Sequence, residues 1–225
     1  MNLDLASILI TAAALICGLV IHESAHALAA YLLGDHTAHD RRRISLNPLN
    51  HIDPFGTVIL PLIMLALGGP VFAFAKPVPV YLDNLKHPKR DEVIVAFAGP
   101  GSNLLLAGLG ALLLKGMVGL ASAGTIPYAM GTQAAEFFVT FILVNLSLAF
   151  FNLIPVPPLD GSSILVPFLR GRARAQYYRI QQYAMPILIV ALYLLPTVFH
   201  LNIIAYYFQV TVYPLANALI WFALA

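Results

Sequence analysis

Apolar positions along this chain do not alternate with polar ones; they come in long blocks divided by short polar breaks. The first block, Leu5–Leu33, holds no Lys, Arg or Asp, and its acidic and histidine side chains are His22, Glu23 and His26. Val93–Leu114, Phe137–Val156, Ala184–Phe199 and Leu201–Ala225 follow. An apolar run of about 20 residues is long enough to cross a bilayer as a helix. Phe55–Ala75 is ambiguous, because Gly68-Gly69-Pro70 breaks it and "AKPVPV" ends it. The pattern predicts an all-α polytopic membrane protein of about five to six transmembrane helices. It also predicts one domain over 1–225, with additional helices at 181–225.

Composition agrees: 60% of the residues are hydrophobic and 10% charged, where a soluble domain carries about 25% charged residues. Charge placement bears on Phe55–Ala75. If that segment crosses, Arg41, Arg42 and Arg43 face one side while Lys76, Lys86, Lys89, Arg90 and the arginines at 170, 172, 174 and 179 face the other. If it dips in and returns, all of these cations share one side, which the positive-inside rule favours. The expected topology is therefore five crossings plus a re-entrant segment, with the N-terminus outside and the basic loops cytoplasmic. Irregular backbone at that depth needs protein or a wet cavity around it. The stretch before the first block contains Asp4 and no Lys or Arg, so it is read as a retained span, not a signal peptide. The single cysteine, Cys17, excludes an intrachain disulfide and a cysteine-based metal site. It is expected to pack as a small apolar residue. No nucleic-acid partner is expected; the lipid bilayer is.

The chemistry lies in "HESAH", residues 22–26. Ionisable side chains in a membrane segment are costly and usually functional. On a helix, His22 and His26 lie four residues apart on one face, and Glu23 projects beside them. Two neutral imidazoles can hold a metal with Glu23 as general base, the arrangement of zinc peptidases. A third ligand is required. A metzincin histidine is absent, since Ala29 and Leu32 occupy the relevant positions, and no Glu follows until Glu92. Asp35, Asp40, Asp53, Asp160, His36, His39 and His51 remain. Asp160 stands out, because Pro155, Pro157 and Pro158 unwind the chain just before it. Asn152, one turn before the prolines, is placed to donate a hydrogen bond to an oxyanion.

With HESAH in an apolar helix, "AGPGSN" opening a middle span and "NLIPVPPLDG" closing a third, the chain resembles the site-2 protease family of intramembrane zinc metalloproteases. "NPLNHIDPFGT" and "FAKPVPV" are similar to the compact prokaryotic members without a PDZ domain. The resemblance implies His22, His26 and Asp160 as ligands of one Zn2+ per chain, Glu23 as the catalytic base and Asn152 as a second catalytic residue polarising the scissile carbonyl. It implies single-span membrane proteins as substrates, and a re-entrant β-containing membrane segment within 34–80. Ser162 departs from the family, where a second Gly is common after LDG.

Other features carry competing readings. Asn103 either contacts substrate backbone or bridges helices. His51 and Asp53 either gate water or metal or stabilise a turn. His36 and His39 are expected at the surface. Arg41, Arg42, Arg43 and the cluster from Arg170 to Arg179 are expected at anionic headgroups. The rival function is a non-enzymatic scaffold or metal-handling protein with a structural zinc. That alternative needs a fourth protein ligand, for which His51 and Asp53 are the candidates.

Overall fold

The computed structural model describes residues 5–66 and 73–225. Asp4 and the Gly68-Gly69-Pro70 break lie outside the described residues. The helices are α1 (Leu5–Leu33), α2 (Thr37–Asp40), α3 (Leu60–Ala66), α4 (Pro88–Ser122), α5 (Tyr128–Asn152), α6 (Asp160–Leu165), α7 (Gly171–Gln181), α8 (Ala184–Thr197), α9 (Ile203–Val210) and α10 (Val212–Leu224). No strand forms among the described residues.

Three helices, α1, α4 and α5, are long and apolar enough to cross a membrane. The bent pairs α7 with α8 (71°) and α9 with α10 (40°) raise the number to five if each pair is one span. This is an integral, multi-pass membrane protein. Inside a bilayer a helix satisfies its own backbone hydrogen bonds, so the apolar blocks become helices whatever their individual propensities. Spans α4 and α5 begin earlier than the apolar blocks alone suggest. Pro88 starts α4 at its first turn, where its missing N–H costs nothing. The third span ends at Asn152, just before the prolines.

Helix α4 packs against both α1 and α5, and α10 closes on α4 and α5. The contact surface is made of small residues on α4, Ala107 and Ala111, against Ile142 and Leu146 of α5 and Val212 and Ala216 of α10. Small side chains let membrane helices approach closely, which matters where lipid offers no hydrophobic driving force. Cys17, expected to pack, is instead exposed on the outward face of α1.

Within the segment expected to be β-containing, residues 54–66 are helical. Asp53 caps a π-helical turn at Pro54–Ile59 by accepting from the Gly56 amide (2.7 Å), and the turn runs on into α3. Proline at the first helical position and the Asp cap favour a helix start over a strand. The chain then returns: the Phe74 amide donates to the Gly56 carbonyl (3.1 Å), and the Lys76 amide to the His51 carbonyl (2.9 Å). Residues 73–81 run on without helix or strand.

Arg43 corrects an expectation. It is buried (4% exposed), not at a headgroup, and its guanidinium donates to the carbonyls of Asn50 and Lys76. Two carbonyls converging on one spot suit a planar fork of donors. Arg41 and Arg42 are exposed.

Candidate metal centre

One turn of α1 brings His22 and His26 together, with Nε2 atoms 3.0 Å apart. The unwound stretch after α5 delivers Asp160 as the first residue of α6, its Oδ2 lying 3.2 Å from His22 Nε2 and 3.3 Å from His26 Nε2. Glycine is required on both sides of this meeting. A Cβ at Gly99 of α4 would lie 2.3 Å from His26 Nε2 and 2.6 Å from His22 Nε2. A Cβ at Gly161 would lie 2.2 Å from the Leu153 carbonyl oxygen, so only glycine lets α6 start against the end of α5.

Hydrogen bonds set the tautomers. His26 Nδ1 lies 2.7 Å from the Val95 carbonyl, which only accepts, so Nδ1 carries the proton. His22 Nδ1 lies 2.6 Å from Asn103 Oδ1. The Asn103 amide cannot be reversed, because its Nδ2 donates to the Gly18 carbonyl (3.1 Å) and to Asn145 Oδ1 (2.9 Å). Asn145 is fixed in turn by donating to the Phe141 carbonyl (2.9 Å). With Nδ1 protonated on both rings, the neutral imidazoles would point Nε2 lone pairs at a buried Asp160 oxygen that has no other hydrogen-bond partner.

In that form three acceptor atoms lie 3.0 to 3.3 Å apart and repel unless a cation lies among them. Ligands about 2.0–2.1 Å from a tetrahedral zinc are separated by about 3.3 Å, so the donor set and spacing fit that ion. Among the described residues this is the group of His, Cys, Asp and Glu side chains able to hold a metal.

The centre opens on a cavity of about 1090 Å³, walled by α1, α4, α5, α8 and α9. Its walls are mostly aliphatic, including Leu19, Leu148, Leu188 and Ile204. Glu23 and Asn152 line it as well. Asn152 Nδ2 donates back to the Leu148 carbonyl (3.0 Å), which leaves the second amide hydrogen available.

Asn103, weighed as a substrate contact, is fully buried behind His22 and spends its amide on helix bridging and on that imidazole. Neither candidate for a fourth ligand joins the cluster. His51 is fully buried with Nε2 on the Ser45 carbonyl (2.8 Å), and Asp53 caps the π-helical turn. His36 and His39 lie against the Tyr31 ring. Asp35 is buried and engaged by Thr37, Asn84 and the Tyr81 amide. Ser162 is buried, with its hydroxyl 3.0 Å from that of Tyr177, so the departing residue ties α6 to α7. Asn145 was missed. Its signal is a carboxamide in the middle of an apolar block, the same signal that singles out Asn103.

The model of peptidase family M50 matches residues 10–195. The chain is 38% identical over 176 residues to the candidate zinc metalloprotease YwhC of Bacillus subtilis (strain 168), covering 78% of this chain and 76% of that one. It is 33% identical over 174 residues to the candidate zinc metalloprotease Rip2 of Mycolicibacterium smegmatis, covering 77% and 62% of the two chains. A third relative, Rip2 of Mycobacterium tuberculosis (strain H37Rv), is 32% identical over 181 residues, or 80% and 64%. The chain thus spans a little under two thirds of the length of these mycobacterial relatives. No solved structure matches it.

Proposed function

We propose, from the premise that the chain belongs to peptidase family M50, that this zinc metalloendopeptidase cuts membrane-spanning segments of other proteins within the bilayer. One observation carries the reading. Two imidazoles in fixed tautomers and an orphaned carboxylate converge at the end of a large apolar cavity inside a membrane bundle.

In this reading His22, His26 and Asp160 are the zinc ligands. Zinc held there supplies Lewis acidity to the attacking water and to the peptide carbonyl. Glu23 stands one residue from His22 and lines the cavity. It takes the proton of the attacking water and returns it to the leaving amine. Asn152 directs its spare amide hydrogen at the oxygen where negative charge develops. Asn103 and the Val95 carbonyl keep both imidazoles in the ligating tautomer. The aliphatic walls hold bulk water away from the reacting bond.

A helical substrate hides its carbonyls in its own hydrogen bonds, so it must unwind locally. Val78 and Val80, in the non-helical run after the returning segment, line the cavity. We infer that unwound substrate pairs along this run in the manner of an added strand. The return of the chain at Phe74 to Gly56 supports a re-entrant segment here, with the basic loops together on the cytoplasmic side and the N-terminus opposite.

The test is zinc content per chain together with cleavage of a single-span substrate in detergent. Wild type is expected to hold about one zinc and cleave; Glu23→Gln keeps the zinc but loses about a thousandfold in rate. Asp160→Ala loses both. Wild-type cleavage rates in Glu23→Gln would sink the assignment.

A further inference from the structure

A second carboxylate faces the cavity away from the catalytic group. Glu92, near the start of α4, lines the cleft together with Val95 and Ala96. Positions 92, 95, 96 and 99 share one helix face, so Glu92 sits directly below Gly99 and the two imidazoles. Seven residues of helix rise about 10 Å, the length of about three residues of extended chain.

The surroundings of Glu92 suit a cation. Among the described residues lining the cleft none is Lys or Arg, and Glu92 is the acidic one outside the catalytic group of Glu23 and Asp160. Tyr177 and Tyr178 line the same cleft, with ring centroids 5.4 Å apart at 76°, and Arg174, whose charge reaches Glu92, also lies against Tyr178. Aromatic faces beside a carboxylate attract an ammonium or guanidinium group. Glu92 is half-buried, with no hydrogen bond and no ion pair within 4 Å among the described residues. Arg174 acts on it only from farther off. That guanidinium is turned to Tyr178, with Nη2 3.4 Å from the hydroxyl and Cζ 5.8 Å from the ring centroid. A carboxylate drawn partly out of water without a partner is costly, so this end of the cleft favours a ligand that supplies the positive charge.

Substrates bring that charge to this end. Glu92 lies beside the chain's own basic positions, Lys86, Lys89 and Arg90. A single-span protein in the same membrane carries its Lys and Arg on the same side.

We propose that Glu92 is a specificity-determining residue that receives a Lys or Arg side chain of the substrate, about three residues from the bond cut, on the side facing α7. Tyr177 and Tyr178 complete the subsite. This rests on the reading of the cleft as a peptidase site.

The experiment compares kcat/KM in detergent for synthetic single-span peptides carrying Lys, Gln or Glu at that position. Wild type is expected to favour Lys over Gln by about tenfold, the scale of one well-placed contact. In Glu92→Gln the ratio falls to about one, and in Glu92→Lys the preference passes to the Glu peptide. Binding of the same peptides to Glu23→Gln protein reads the preference without turnover. A wild type that cleaves or binds all three equally overturns the proposal, as does a Glu92→Gln protein that keeps the Lys preference. Absence of cleavage with the Lys preference still present in binding counts against the peptidase reading and leaves the subsite standing.

Discussion

Replacing Gly99 by alanine is the smallest change that should empty the metal centre. The added Cβ would sit 2.3 Å from His26 Nε2 and 2.6 Å from His22 Nε2, where ordinary contacts begin near 3.4 Å. The nearer ring must therefore retreat by about 1 Å, whereas zinc ligation tolerates about 0.2 Å. The ring cannot retreat freely, because His26 Nδ1 is held by the Val95 carbonyl on the same helix as Gly99. Changing a partner that merely orients a ligand costs 10–100-fold in metal affinity, so displacing the ligand itself should cost about 100-fold or more. The same substitution at Gly108, also in α4, meets nothing within 4 Å and gains about 1 kcal/mol of helix propensity. Purified Gly99→Ala and Gly108→Ala proteins would be compared by zinc content after competition with a graded chelator series. Thermal melting of each protein would check that both are folded. Gly108→Ala should match wild type, and Gly99→Ala should lose zinc at chelator concentrations that leave wild type loaded. Equal retention in both would refute the placement of α4 against the two imidazoles.

Asn103→Ala leaves His22 Nδ1 without its acceptor and should weaken zinc binding by about 10–100-fold without touching the cavity wall; an unchanged chelator titration would refute the tautomer argument. Asp35 lies between α1 and α2, outside the spans. Burial pushes its carboxyl up, but the Thr37 hydroxyl and amide, the Tyr81 amide and the Asn84 side chain outweigh this and hold it below the usual carboxylate range. The folded state therefore binds the proton less readily than the unfolded chain. The stability Asp35 contributes is present above the unfolded value and is lost as pH falls from about 5 towards the folded value. Melting temperature in detergent should drop more steeply over that range in wild type than in Asp35→Asn, and parallel curves would refute the linkage.

How far the site was legible depended on what each polar residue costs in its setting. HESAH declared itself because three ionisable groups in an apolar block need a use, and helical spacing alone puts both imidazoles on one face. Asp160 was legible through the prolines before it, which had to unwind the chain close to the bundle. Asn103 was legible as important, but its partner was not. Whether an amide meets a substrate or a neighbouring imidazole depends on how α1 and α4 cross, which local pattern does not encode. Arg43 misled for the opposite reason. A cation within a basic run is ordinarily solvated, and its burial follows from the carbonyls of Asn50 and Lys76, far apart in sequence, converging on it. The β expectation for the returning segment came from resemblance, while Asp53 and Pro54 were local signals for a helix start.

The buried polar groups also explain why these signals converge on one centre. From the Phe141 carbonyl, hydrogen bonds run through Asn145 to Asn103 and on to His22, linking α5, α4 and α1. Each member alone would be an expensive polar group in hydrocarbon, but linked, each satisfies the next and the whole relay ends on the imidazole. An apolar replacement of the relay would pack the three helices as well or better, yet it would leave the His22 tautomer undetermined. The cost of the amides inside the bundle is therefore best understood as the cost of orienting one imidazole of the candidate metal centre. On that account Asn145→Leu should leave the bundle folded, with a melting temperature near wild type, while loosening zinc through Asn103. Loss of folding with full zinc affinity in the remaining native fraction would show instead that the relay serves helix association.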